Sequence, residues 1–200
     1  MVLRPIRVRD QRAWQDANRR NRDWLRRWEA TVPPAPAGRV GASRPSYRQM
    51  VRYLRGEAAA GRMLPFAVLY RGRLVGQLTV GGITWGSMCS ANVGYWVDEE
   101  VAGRGIMPTA VALAVDHCFR TLGLHRLEVC IRPENGPSRR VVEKLGFREE
   151  ECGRAISTST ATGATISCTR SRPKRFRRAC CGAGAASEAV AAGIIEYLFE

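Results

Sequence analysis

No stretch of this 200-residue sequence approaches the roughly eighteen consecutive apolar residues of a membrane-spanning helix. The opening Met1-Val2-Leu3-Arg4-Pro5 lacks the apolar core of a signal peptide, so export is not expected. Metal-ligand spacing is missing as well. Two histidines, His117 and His125, and seven cysteines fall into no C-x-x-C or Cys/His pattern, and no metal is expected. An odd cysteine count, with Cys180 and Cys181 adjacent, argues against a disulfide frame and for reduced thiols in a cytoplasm. Lysine is absent from residues 1–62, yet that third holds fifteen arginines against five acids. Residues 63–151 are balanced, with ten charges of each sign, and the whole chain carries +14. An arginine-rich N-terminal third suits an RNA surface, such as a ribosome, or an acidic substrate. A solvated face shaped by codon usage gives the same count, and both readings stand.

What is present suits one domain with a sizeable core. Val2–Val8 alternates apolar and basic residues and predicts a strand. Asp10 is placed to cap a helix whose apolar positions are Trp14, Ala17, Trp24, Leu25 and Trp28. Thr31–Pro45 reads as a loop, and Tyr47–Ala60 as a helix ended by Gly61. Pro65–Tyr70 and Leu74–Val80 predict a hairpin around Arg71-Gly72-Arg73, with Gly81-Gly82 marking a bulge before Ile83–Trp85.

The most informative stretch runs from Ala91 to Phe147. Ala91–Val97 predicts a strand closed by Asp98. Gly103 and Gly105 follow, then a helix to about Leu122 with Pro108 in its first turn, where a missing N–H costs nothing. Strand, glycine-rich turn and helix N-terminus together present backbone N–H groups to a phosphate. Alone, G-x-G before a helix is more often a helix start. The downstream block adds His125–Ile131 as a strand, then Arg132-Pro133-Glu134-Asn135, Ser138, Lys144, Gly146 and Phe147, with a short helix in Asn135–Leu145.

Two ordered motifs about thirty residues apart, R-P-E-N-x-x-S-x-x-x-x-x-K-x-G-F preceded by Val93-Gly94-Tyr95-Trp96-Val97 and Glu100-x-x-Gly103-Arg104-Gly105, resemble the GNAT family of acetyl-CoA-dependent N-acetyltransferases. Within it they resemble the RimJ/RimL type, which acetylates protein N-termini. The family's loop opens on Gln or Arg, where this chain has Glu100. The resemblance covers residues 1–151. It implies an α/β (α+β) fold with a GNAT-like central mixed sheet, mostly antiparallel, flanked by helices. It also implies acetyl-CoA as co-substrate and a ribosomal-protein N-terminus or a small amine as acceptor. A third reading is a non-catalytic, arginine-rich ribosome- or RNA-binding protein.

Acyl transfer from a thioester to an amine then assigns roles by resemblance. Backbone N–H groups of Ala102, Gly103, Arg104, Gly105 and Ile106 cradle the pyrophosphate, with Arg104 adding charge. A backbone N–H near Trp96 or Val97 receives the thioester carbonyl. Asn135 binds the pantetheine arm, and Ser138 serves the leaving thiolate, although Ser138 also reads as a helix cap. Glu128 is the candidate base and equally a surface strand residue; Glu134 and Asp98 are weaker candidates. Cys130 has no relay that would make it a nucleophile. His117 reads as a partly buried helix residue. In RimJ-like proteins the region of Trp14, Trp24 and Trp28 lines the acceptor cleft.

Residues 152–200 break the pattern, with Ser/Thr/Ala/Gly-rich, basic and Ala/Gly stretches that bury little. The expected tail is irregular and poorly ordered. Permitted codons for Ala155–Thr169, read from the third base, give D-L-Y-I-D-G-D-W-R-D-H-L-L-Y, which looks like a RimJ-type ending. The tail is therefore read as a frameshift near residues 151–154, a reading that the gene sequence decides.

Overall fold

The computed structural model describes residues 1–28 and 45–150, and the backbone of 166–171. The strands are β1 (Val2–Pro5), β2 (Leu64–Tyr70), β3 (Arg73–Thr84), β4 (Ser90–Val97), β5 (Arg126–Ile131), β6 (Arg148–Glu150) and β7 (Ile166–Ser171). The helices are α1 (Gln11–Arg20), α2 (Arg22–Arg26), α3 (Tyr47–Ala59), α4 (Ile106–Arg120) and α5 (Gly136–Lys144). The strands form one sheet in the order β1-β2-β3-β4-β5-β7-β6. Every pairing is antiparallel except β4 with β5, which α4 connects as a crossover. This is the mixed, mostly antiparallel sheet flanked by helices that the sequence predicts.

Strand β2 is buried on both faces, and its alternation sorts side chains into two cores. Leu64, Phe66 and Val68 of β2 pack with the inner face of α4 and with Val142 of α5. Ala67 of the same strand packs with Ala17 of α1 and with Tyr47, Val51, Leu54 and Ala58 of α3. Ser46 and Gln49 cap α3 reciprocally, and Gly61 ends it at φ 71°. The bulge expected at Gly81-Gly82 is present, since the β3–β4 register shifts between Gly81 and Thr84.

Three local expectations are corrected. The strand expected over Val2–Val8 stops at Pro5, and Val8–Asp10 forms a 3-10 turn. Asp10 does not bond the first turn of α1; its carboxylate takes the Arg4 guanidinium at 2.7 and 2.8 Å and the Arg7 N–H at 2.9 Å. The single helix expected after Asp10 is two, broken at Asn21. The loop expected at Thr31–Pro45 falls almost wholly outside the described residues, as does most of the tail. The six described tail residues, Ile166–Ser171, are a strand. Its backbone pairs with β5 on one side and β6 on the other, because β5 offers a free row of backbone groups to any extended segment. No helix among the described residues is long and apolar enough to cross a membrane.

Candidate active site

The site begins with an interrupted strand pairing. Toward β3, β4 is bonded along its length, from Gly76↔Val97 to Thr84↔Ser90. Toward β5 the pairing holds only at Ser90↔Arg126, Ala91↔Leu127 and Asn92↔Glu128. Past Asn92 the two strands part. A cavity of about 510 Å³ opens there, a volume suited to a small-molecule substrate.

Its walls come from four segments. Tyr95, Trp96 and Val97 supply the strand wall. Val101 to Gly103 and Gly105 to Pro108 supply the glycine loop and helix start. Asn135, Pro137, Ser138, Arg140, Val141 and Lys144 come from the start and one face of α5. Asn18, Trp24, Leu25 and Trp28 close the opposite side.

Gly103 and Gly105 both sit at φ 77°, where an L side chain is strained, and a Cβ built at either meets nothing within 4 Å. The glycines therefore serve backbone conformation, and the open space in front of them suits an anion at the α4 N-terminus. Thr109 donates to the Gly105 carbonyl from its N–H (3.1 Å) and its hydroxyl (2.9 Å), which fixes the loop to the helix. Gly76 is a glycine for another reason. A Cβ there would lie 2.4 Å from the Trp96 carbonyl oxygen, so β3 approaches this part of β4 too closely for any side chain.

The helix cap is Asn135 and not Ser138: the Asn135 Oδ1 accepts from the Ser138 N–H at 3.2 Å. The Tyr95 hydroxyl donates to the Ser138 carbonyl at 3.3 Å, which ties β4 to α5 across the opening. Thus Trp96, Val97, Ala102, Gly103, Gly105, Ile106, Asn135 and Ser138, all singled out in the sequence, line one cavity. Arg104 stands exposed in the same loop.

Other candidates are not brought there. Glu128, half-buried on β5, accepts from Arg126 Nε at 2.7 Å, and Arg126 also bonds Glu150. Neither Glu128, Glu134 nor Cys130 is among the lining residues. Asp98 is 1% exposed and fully engaged, as follows. Arg20 Nη2 reaches its Oδ2 at 2.6 Å, and its Oδ1 accepts from the Glu100 N–H at 3.2 Å. Burial opposes its ionisation, but Arg20, Asn21 and the Glu100 N–H outweigh that and hold its carboxyl below the ordinary aspartate value. An ionised, ion-paired aspartate outside the cavity is a structural group rather than a base.

Sequence reasoning missed Asn18, Arg140 and Lys144 as wall residues. For the last two a signal exists: Pro137, Arg140, Val141 and Lys144 follow the three- and four-residue spacing of one helix face. Among the described lining residues there is no aspartate or glutamate. Among the described residues there is also no cluster that could hold a metal ion.

Residues 1–148 match the family model described as an acetyltransferase (GNAT) domain. The probable N-acetyltransferase YjcK of Bacillus subtilis is 43% identical over 82 residues, 41% of this chain but only 45% of that protein. The chain is 24% identical over 158 residues to the ribosomal protein uS5-alanine N-acetyltransferase of Escherichia coli, 75% of this chain and 76% of that protein. Among solved structures, Mycobacterium smegmatis RimJ in complex with CoA-disulfide is 35% identical, with a TM-score of 0.76 over 96% of this chain and 88% of that one.

Proposed function

This chain belongs to the GNAT acetyltransferase family, and from that premise we propose that it moves the acetyl group of acetyl-CoA onto the N-terminal α-amine of a ribosomal protein. The observation that carries the choice of acceptor is the cleft's chemistry. Its acceptor side is Asn18, Trp24, Leu25 and Trp28, and the described lining holds no carboxylate. A polycationic small amine needs acids to replace its hydration, whereas a peptide N-terminus with a small apolar first residue does not. The uS5-alanine relative and the RimJ structure support the same choice.

The division of labour follows from the walls. Backbone N–H groups of Ala102 to Ile106 hold the pyrophosphate, with Arg104, Arg140 and Lys144 close to the same mouth. A backbone N–H at Trp96 or Val97 takes up the charge that grows on the thioester oxygen. The amine nitrogen bonds to the carbonyl carbon, the C–S bond breaks, and the Ser138 hydroxyl donates to the departing thiolate while the amine loses its proton to water. With no carboxylate at hand in the described lining, the acceptor enters as the neutral amine. About a tenth of an α-amine is neutral at pH 7, against about one part in 2,500 of a lysine. The cleft therefore favours N-termini over lysine side chains by acidity alone.

The charged helices extend this reading. Arg12 and Arg19 on α1, and Arg48, Arg52 and Arg55 at i, i+4 and i+7 on α3, are exposed. They suit phosphate contacts with RNA around a ribosomal N-terminus, in which case affinity falls steeply with salt.

The test is mass spectrometry of acetyl transfer to peptides that begin with alanine or serine, beside the same peptides with blocked N-termini and beside spermidine. Transfer to the free peptides alone is expected. Transfer to spermidine and to no peptide would overturn the choice of acceptor.

A further inference from the structure

The short helix α2 carries Trp24 and Leu25 into the cleft, yet it buries no residue fully. Polar contacts hold it, and they lie at its two ends. At its start, Asn21 is 2% exposed. The Asn21 Oδ1 accepts from the Glu99 N–H at 2.8 Å, its Nδ2 donates to the Ala17 carbonyl at 2.8 Å, and the neighbouring Arg20 grips Asp98 at 2.6 Å. The Asp98–Glu99 corner stands between two cavity-lining segments, Tyr95–Val97 before it and Val101–Gly103 after it. Arg20 and Asn21 likewise stand between Asn18 and Trp24, which line the other side. Just past the end of α2, the Arg27 carbonyl accepts from Arg132 Nη1 at 2.9 Å, and Arg132 precedes Asn135 and Ser138. The acceptor wall is thus fastened at one end to the strand that leads into the glycine loop and at the other to the segment that leads into α5.

We infer that Arg20, Asn21 and Arg132 are positioning residues that set the acceptor wall at a fixed distance from the bound acetyl-CoA and transmit the filling of the cofactor side to α2. The inference rests on the acetyl-transfer reading for its kinetic consequence but not for its structural one. Arg20 touches Asp98 through one guanidinium nitrogen, so Arg20→Lys can keep the contact while Arg20→Ala cannot. The glycine loop runs between β4 and α4, and α2 contributes no residue to it.

Two readouts on the full chain test this. In hydrogen exchange, acetyl-CoA is expected to slow the amides of residues 22–28 as well as those of 102–110. Arg20→Ala and Arg132→Ala are expected to lose the first response and keep the second. In kinetics, each alanine variant is expected to lower kcat/KM for an alanine peptide by roughly 10- to 100-fold, the cost of about an ångström of misplacement, while acetyl-CoA affinity stays within about threefold. Arg20→Lys is expected to recover most of the rate. Unchanged protection of 22–28 in the variants, or no response there in the parent chain, overturns the inference. So does acetyl-CoA affinity that falls in step with activity. If the parent chain binds acetyl-CoA but acetylates no peptide, the acceptor assignment fails, and the exchange experiment still decides the role of the three residues.

Discussion

Two walls of one cleft, the α4 side and the α1–α2 side, are held in opposite ways. On one face of the sheet, α4 buries eight residues from Ile106 to Phe119 in the larger core, so the wall that carries the glycine loop is held by apolar packing. On the other face, α1 fully buries only Ala17 and α2 buries none. That wall hangs on polar contacts: Arg20 with Asp98, Asn21 with Glu99, Arg132 with Arg27, and Trp14 Nε1 with Gln77 Oε1 at 2.9 Å. Their chemistry differs as well. The α4–α5 side offers backbone N–H groups and cations, the α1–α2 side indole rings and an amide. On the proposed reading, a cofactor common to a whole family would be met by the part that burial fixes. On the same reading, an acceptor that varies would be met by the part that a few hydrogen bonds fix, where substitution costs the fold little.

The sharpest break in this contrast comes from Gly105→Glu. It puts a side chain at φ 77° and a negative charge at the proposed phosphate site, and acetyl-CoA affinity by calorimetry is expected to fall at least ~100-fold with folding retained. Ser138→Ala removes the proposed donor to the thiolate, and kcat is expected to drop roughly 10- to 30-fold with acetyl-CoA affinity almost unchanged. On the other wall, Trp24→Ala is expected to raise the acceptor peptide's KM about tenfold and leave the acetyl-CoA constant alone; an equal effect on both would erase the distinction between the layers. The mildest effect is on acid stability. Because the folded carboxyl of Asp98 ionises below its ordinary value, its contribution is complete above the unfolded pKa near 3.9 and is lost as pH falls through the lower folded one. Thermal melts between pH 3 and 6 should show a steeper loss below pH 4 in the parent chain than in Asp98→Asn.

The same contrast explains what could be read in advance. Backbone chemistry needs glycine, proline and an asparagine cap at set spacings, so β4, the Gly103–Gly105 loop, α4, β5 and α5 were legible almost to the residue. Side-chain chemistry on the α1–α2 wall leaves no such spacing. The apolar positions Trp14, Ala17, Trp24, Leu25 and Trp28 read as one helix, because the break at Asn21 is imposed by the Glu99 N–H, 78 residues away in sequence. Asp10 looked like a helix cap because nothing nearby in sequence marks Arg4 as its partner. Glu128 looked like a base because its strand leads into the asparagine block, and the strand's pleat, which sets it beside Arg126 instead, is a three-dimensional fact. Two of the missed wall residues, Arg140 and Lys144, could have been found by winding the Asn135-capped helix and asking which face follows Pro137.

The partial zipper beside β4 also has a mechanical meaning. Strands β1 to β4 form one plate and β5, β7 and β6 another, and the weld between them is three residue pairs long. Pulled apart across that seam, the plates would part there first, since every other seam in the β1–β4 plate is longer. A molecule lodged between them works as a rivet, sharing the load that three backbone pairs carry alone. On the proposed reading, acetyl-CoA would in this sense also be a fastener of the sheet.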